Sequence, residues 1–250
     1  MAQFDLLEGW SGSASLGALF TGGNSDTSSI NGSASVSKQI NLWRHTAFGS
    51  TFSADSNNED TADRFDIGYK VDRQFTETWY GFGRLRYDTD DFGNIDNRYS
   101  GVAGVGNKLL DDGKQFLSGE VGVGFHDTEY DRPLGTDPVS DEQEFGPDGL
   151  PIVTVPVPVD GDLLEDDGAV LYGGLNYTNI LNEIVTFNSV FNIEIAESNT
   201  LTVWDNSLNV ALTPRIGLSF GILARNNSDI EGQLGDNLDT ATRLNLVFGI

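Results

Sequence analysis

Two consecutive stretches decide the fold: WSGSASLGALFT at residues 10–21 and INGSASVSKQINL at residues 30–42. Apolar and small polar residues alternate in both. Every second residue of a β-strand faces the same side, so the first stretch places Trp10, Leu16 and Phe20 on one face and serines on the other. The second stretch repeats the pattern, with one face formed by Ile30, Ala34, Val36, Ile40 and Leu42. The pattern predicts strands with one apolar face and one face of serine and asparagine.

The same period of two recurs to the end of the chain. After the first two strands, it predicts strands near 45–53, 62–74, 78–88, 98–110, 114–126, 169–179, 184–195, 200–212, 216–225 and 240–250. Each is long enough to cross a bilayer at a tilt, for which about 9 to 11 residues suffice. We therefore predict an all-β protein, a transmembrane antiparallel up-and-down β-barrel of about 12 strands, forming one domain over residues 1–250.

The connections between these strands alternate in length. Short turns are predicted near 43–44, 76–77, 111–113, 182–183 and 214–215, whereas longer polar connections fall at 54–61, 89–97, 127–168 and 226–239. Outer-membrane barrels have short periplasmic turns and longer external loops. The alternation therefore predicts the bacterial outer membrane of a Gram-negative cell as the location. The 127–168 segment, rich in acids and carrying six of the seven prolines, is predicted as a long external loop, since proline cannot donate to a strand ladder.

Composition narrows the classes of function. A formal net charge of -24 argues against a nucleic-acid partner. Zero cysteines exclude thiol nucleophiles, disulfides and thiolate metal sites. No apolar run is long enough for a membrane helix, and Met1-Ala2-Gln3 reads as a mature N-terminus. No cofactor is predicted.

The opening stretch resembles the salt-induced outer membrane protein family, also called domain of unknown function 481. The residues that carry the resemblance are Trp10 with the small-residue strand after it, and Thr21-Gly-Gly-Asn-Ser-Asp-Thr27. The 207–215 hairpin and the last strand add to it, while the 127–168 segment stays outside it. The resemblance implies an outer-membrane barrel whose biochemical role is unsettled, with a link to salt or osmotic stress, and it carries over no catalytic residue.

Charged residues of both signs fall on the predicted interior face. The candidates for lining a pore are Arg84, Arg86, Arg98, Glu120, Glu194, Arg225 and Arg243. In a narrow lumen they could pair across it as a polar plug or line a small pore, since an unpaired buried charge is costly. For an open pore, the positive charge of the first three, Arg84, Arg86 and Arg98, predicts a weak preference for anions.

The sequence contains candidates for two further types of site. The acids Asp160, Asp162, Glu165, Asp166 and Asp167 suit the oxygen preference of divalent cations, so the external loops are candidates for binding calcium or magnesium and, through them, lipopolysaccharide; solvated charge is the simpler interpretation. His45 and His126 are the only possible general bases near neutral pH, and both are predicted on the lumen face. The adjacent pair His126-Asp127 forms no recognisable triad, so no catalytic residue and no enzymatic activity are predicted.

These patterns predict a structural barrel or a passive channel for small solutes, in contact with outer-membrane lipid and lipopolysaccharide. The alternative is a surface module whose acidic loops bind divalent cations, lipopolysaccharide or a protein. The sequence leaves the oligomeric state open. Trp10, Trp43, Trp79, Tyr87, Tyr99 and Phe125 fall near strand ends, as the aromatic girdles of a membrane barrel require.

Overall fold

The computed structural model describes residues 9–21, 27–56, 59–90, 95–130, 135–136, 158–159, 164–197, 199–228 and 238–249. These residues form strands and turns. None of the described residues belongs to a helix long and apolar enough to span a membrane.

The described residues contain fourteen strands. The first seven are β1 (Trp10–Thr21), β2 (Thr27–Ile40), β3 (Trp43–Ser56), β4 (Glu59–Gln74), β5 (Trp79–Asp90), β6 (Ile95–Asp111) and β7 (Gln115–Tyr130). The others are β8 (Gly135–Thr136), β9 (Pro158–Val159), β10 (Leu164–Ile180), β11 (Val185–Ile195), β12 (Thr200–Ala211), β13 (Ile216–Asn227) and β14 (Leu238–Gly249).

Twelve of these strands close into one antiparallel barrel in which chain neighbours are also neighbours in space. The first and last strands close it, with Ser13 opposite Gly249 and Gly17 opposite Asn245. The two-residue strands β8 and β9 pair only with each other and stand outside the wall. This architecture confirms the predicted transmembrane up-and-down barrel. Closure leaves the wall without an unpaired strand edge. A sheet in a membrane needs this closure, because lipid offers no hydrogen-bond partner to an exposed backbone edge.

The barrel has an apolar outside. Leu16 is 65% exposed and Leu85 is 66% exposed, although both are large aliphatic residues. Aromatic side chains mark the two ends of this outer surface: Trp10, Trp43 and Trp79 at the end with the short turns, and Tyr99 and Phe125 towards the other end. This distribution fits a surface that contacts hydrocarbon between two interfacial belts.

Several strands continue further than the polarity pattern predicts. β3 reaches Ser56 and β4 begins at Glu59, so most of the predicted 54–61 loop is wall. The predicted 89–97 loop shrinks similarly, because β5 reaches Asp90 and β6 begins at Ile95. Residues 127–130 pair with 164–167 across β7 and β10, which leaves 131–163 as the connection. A backbone ladder continues wherever partners are available, even where the side chains turn polar.

Candidate functional site

The lumen holds the charged residues, and the strand registers show which side chains point into it. On β4 and β5, Asp66 lies opposite Asp88 and Lys70 opposite Arg84. The pore-lining candidates are all on this inner face, and several are deeply buried: Arg98 is 4% exposed, Glu120 5%, and Glu194 and Arg225 7%. Lys108 shares their parity but lies exposed near the short turns.

The half of the lumen farther from the short turns is centred on two aspartates of β5. Asp88 accepts a two-pronged hydrogen bond from Arg98 on the neighbouring strand, at 3.1 Å from Nε and 2.6 Å from Nη2. Arg225 reaches the same pair from β13, with Nη2 3.6 Å from Asp88 Oδ2 and Nη1 3.5 Å from Asp90 Oδ2. Arg64 of β4 also lies 2.9 Å from Asp90. Arginines from three other strands therefore lie against the carboxylates of Asp88 and Asp90.

The contact between Arg225 and Asp88 crosses the whole barrel, because β13 and β5 are six places apart in a ring of twelve strands. Twelve strands about 4.8 Å apart and tilted by about 40° give a circular barrel a diameter of roughly 24 Å. An extended arginine, an aspartate and the contact between them span only about 14 Å, estimated from standard bond lengths. The barrel is therefore flattened along this line, and the arginine divides the lumen.

A second group of cross-lumen ion pairs lies nearer the short turns. Lys70 of β4 donates to Glu120 of β7, and Arg84 of β5 donates to Glu194 of β11. Glu120 also accepts the Tyr80 hydroxyl at 2.8 Å. These pairs join strands that are three and four places apart around the barrel, so they too cross the lumen instead of following the wall.

Aromatic rings fill the space between these ion pairs. Phe82 and Tyr172 meet edge to face with ring centroids 5.8 Å apart, and the Arg84 guanidinium lies 4.4 Å from the centre of the Tyr172 ring. Val102 and Val170 complete this buried cluster. Inward glycines make room for the rings: a Cβ on Gly106 would overlap the Tyr80 ring. This side of the lumen is a packed core.

The opposite side, formed by β1, β2 and β14, carries short polar side chains. Ser15 and Ser33 hydroxyls lie 2.8 Å apart, and Asn31 Nδ2 donates to Asn245 Oδ1 at 2.9 Å. The last bond passes over Gly17, which stands between the two asparagines in the register. The strand alternation of serine and asparagine therefore gives a polar inner wall, as the opening stretches predict.

The two histidines depart from their predicted positions or partners. His45 faces outward, not into the lumen, and its Nδ1 lies 2.6 Å from the Tyr69 hydroxyl on the outer surface. The prediction was wrong because the outer face of β3 carries small residues such as Ala47 and Gly49, so hydrophobicity does not reveal its parity. His126 does face inward, but Asp127 points outward, since adjacent strand residues face opposite sides.

The His126 ring is directed at one residue of its own strand and one residue of β10. Its Nδ1 lies 3.2 Å from Thr128 Oγ1 and its Nε2 lies 4.0 Å from Asp166 Oδ2. Ser100 is directly opposite His126 in the register, yet both ring nitrogens are directed at other residues. In this conformation the ring is therefore oriented away from Ser100, towards Thr128 of its own strand and Asp166 of β10.

The acidic residues weighed for cations do not converge where they are described. Asp166 turns inward towards His126, while Asp167 is exposed on the outer face opposite Asp127. Asp160 and Asp162 lie outside the described residues, and so does the side chain of Glu165. Among the residues that the structure describes, no group of three or more His, Asp or Glu side chains could hold a metal ion.

The predicted set of inward charges lacks Asp88 and Asp90: Asp88 is the last residue of the predicted 78–88 strand, and Asp90 falls in the predicted 89–97 loop. The signal was present: Asp88 and Asp90 continue the period of two set by Arg84 and Arg86. Alternation that is carried by charge alone, without apolar partners on the other face, is easily taken for a loop.

Comparison with known structures supports the fold. The translocator domain of autotransporter NalP from Neisseria meningitidis matches with a TM-score of 0.50 at 10% identity, over 96% of this chain and 86% of that chain. The NanC porin matches with a TM-score of 0.49 at 12% identity, over 94% of this chain and 98% of that one. The KdgM porin gives 0.43 at 9% identity, over 96% and 99%. At 10% identity the likeness to the translocator domain extends to the barrel fold alone.

No curated protein matches the chain. A family model does: the one described as protein of unknown function, DUF481, matches residues 14–250, from the first strand to the last. The matched range includes β1 from Ala14 onward, the other barrel strands and all the charged residues of the lumen named above. The chain therefore belongs to the DUF481 family.

Proposed function

We propose that this protein is a narrow, passive channel for small solutes in the bacterial outer membrane. The observation that carries the proposal is the charge of the inner face, where basic and acidic side chains contact each other in the described part of the lumen. They are Arg64, Lys70, Arg84, Arg86, Arg98, Arg225 and Arg243 against Asp66, Asp72, Asp88, Asp90, Glu120, Glu194 and Asp205.

A barrel that served only as an anchor would gain nothing from such an interior. Removing ion pairs from water costs more than their attraction returns in many cases, and apolar side chains could fill the same space. Ionisable groups at membrane depth therefore mark a functional pathway by default. The polar wall of Ser15, Ser33, Asn31 and Asn245 provides a route beside the aromatic core. Arg225 across the lumen keeps this route narrow.

Conductance of the refolded protein in a planar bilayer tests the proposal. Wild-type protein should give small unitary currents, and Arg225→Ala should give larger ones, because the variant removes the arm that crosses the lumen while Arg98 still neutralises Asp88. Arg215→Ala is the matched control, since Arg215 is exposed in a short turn. Folding is monitored by the heat-dependent shift of barrel proteins on gels. Folded wild type and Arg225→Ala that both lack unitary currents would refute the channel.

The same proposal orients the barrel with the end that holds the long 131–163 connection outside the cell and the opposite end, with turns such as 112–114, in the periplasm. Because the chain has no cysteine, single cysteines report on this directly. A membrane-impermeant maleimide added to intact cells should label Glu197→Cys, in the connection between β11 and β12, and should not label Asp112→Cys, in a short turn. Labelling of Asp112→Cys alone would reverse the orientation.

The surface-module alternative stays a prediction, as does the link to salt or osmotic stress. Most of the acidic connection lies outside the described residues. Replacing residues 131–163 with the two-residue turn Asn-Gly, the shortest common hairpin connection, keeps the registered pair of Tyr130 and Leu164. Unchanged conductance together with lost binding of calcium or lipopolysaccharide would then assign the segment to the surface role. We also propose that the protein is not an enzyme, in line with the ring orientation of His126.

A further inference from the structure

The half of the lumen farther from the short turns contains a cavity of about 180 Å³, beside Arg225, which crosses the lumen. This volume corresponds to about six water molecules at roughly 30 Å³ each. Its charged lining consists of four arginines and three aspartates: Arg64, Arg86, Arg225 and Arg243 with Asp66, Asp88 and Asp205. The strands that contribute them come from both sides of the flattened barrel, so the cavity lies on the path through the lumen.

The arginines of this cavity have more donors than the surrounding carboxylates satisfy. Asp88 is engaged by the fork of Arg98, at 2.6 and 3.1 Å. Arg86 and Arg225 remain 3.6 Å from its oxygens, beyond hydrogen-bonding distance. Within the described part of the chain, the Nε atoms of Arg86, Arg225 and Arg243 and the Nη2 atom of Arg225 are buried without a hydrogen-bond partner.

Arg243 is held in place as part of the cavity wall. Its Nη2 donates to Asp205, which fixes one edge of the guanidinium. The other side lies against Gly221, where a Cβ would come within 3.3 Å of Nη2 and 3.5 Å of Nε. The guanidinium is thus positioned before any solute arrives, and a fixed donor loses less conformational freedom on binding than a mobile one.

We propose that this cavity is a binding site for a small oxyanion, a carboxylate or a phosphate. Unmatched buried N–H donors require an acceptor, and the guanidinium fork matches the paired oxygens of these groups. The available donors are those of Arg86, Arg225 and Arg243, since Arg64 is paired with Asp90 and Asp239. The sequence predicts anion preference from Arg84, Arg86 and Arg98. In the structure Arg84 is paired with Glu194 and Arg98 with Asp88, so the proposed site keeps only Arg86 of these three. It rests on the proposed channel only for the solute's route to the cavity.

Calorimetric titration of the detergent-refolded barrel with inorganic phosphate and, separately, with succinate tests the site without requiring conductance. Wild-type protein should bind at least one of the two probes. Arg86→Gln and Arg243→Gln should each weaken binding about tenfold or more, the effect of losing a charged hydrogen bond. Arg215→Gln removes the same charge from an exposed turn and should bind like the wild type. Which probe binds distinguishes a phosphate solute from a carboxylate.

The outcomes separate the two proposals. Absence of heat with both probes, or equal binding by all three variants, would overturn the site even if the barrel conducts. Binding that depends on Arg86 and Arg243 in a barrel without unitary currents would retain the site and refute the channel. In a conducting barrel, the reversal potential under a salt gradient should show anion preference that falls in Arg86→Gln and Arg243→Gln but not in Arg215→Gln.

Discussion

Replacement of Gly17 by alanine should weaken the seam that closes the barrel. Gly17 is the last registered residue where β1 meets β14, and this seam holds five registered pairs, from Ser13 to Gly17. A Cβ on Gly17 would lie 2.6 Å from the backbone oxygen of Leu244 and 2.7 Å from Asn31 Oδ1, and would overlap Asn245 Oδ1. The new methyl group therefore occupies the place of the hydrogen bond between Asn31 and Asn245.

The expected loss follows from these contacts. Overpacking against a backbone atom that cannot move aside costs about 1–3 kcal/mol. Loss of the hydrogen bond between the side-chain amides of the two asparagines, which are 7% and 8% exposed, adds about 1 kcal/mol. We expect Gly17→Ala to lower the free energy of unfolding by about 3 kcal/mol.

Denaturant unfolding in phospholipid vesicles, followed by the fluorescence of the four tryptophans, measures this change. Gly32→Ala, on the adjoining strand, is the matched control. A Cβ there would face outward and lie 3.3 Å from Leu16 Cδ2 and 3.6 Å from Thr51 Cγ2, the ends of flexible side chains. It should be neutral or slightly stabilising, because alanine restricts the unfolded chain. If Gly17→Ala were as stable as Gly32→Ala, the closing seam would not depend on the asparagine bond.

Two other predictions concern charged groups. Glu194→Leu should destabilise the barrel by about 3 kcal/mol, because it leaves the Arg84 guanidinium buried without its carboxylate; adding Arg84→Met should recover most of the loss in the same assay, and a double variant no better than the single one would contradict the pairing. In the turn between β6 and β7, the backbone amides of Gln115 and Lys114 donate to Asp112 at 2.6 and 2.9 Å and hold the pKa of that carboxyl below its ordinary value of 3.8. The ionised Asp112 therefore contributes to stability above pH 3.8, and this contribution is lost as the pH falls through the lowered pKa. The stability advantage of wild type over Asp112→Asn should shrink under acid. An advantage that grew instead would contradict the role of the Asp112 carboxylate in this turn.

The inward direction of the candidate residues could be predicted, but their partners could not. Alternation places Arg84, Glu120 and Glu194 on the polar face whatever the shape of the barrel. Which acid meets which base depends on the flattening of the cross-section and on the register of strands that are far apart in the chain. Arg225 contacts Asp88 because their strands lie opposite each other and the flattening of the barrel shortens the distance between the two walls. The cavity and its unmatched donors follow from that shape.

The sequence by itself determined the strand count, the antiparallel wall and its apolar outside, because a period of two in side-chain direction is a local property of an extended backbone. It could not assign the face of His45, because the outward residues beside it are too small to show which face is apolar. It also could not assign the ends of β3 and β5, because backbone pairing continues there after the alternation of polarity ends. Only the closed tertiary structure decided how the lumen is occupied. Charges on opposite walls interact through space across the barrel, and no local pattern in the chain encodes the distance between those walls.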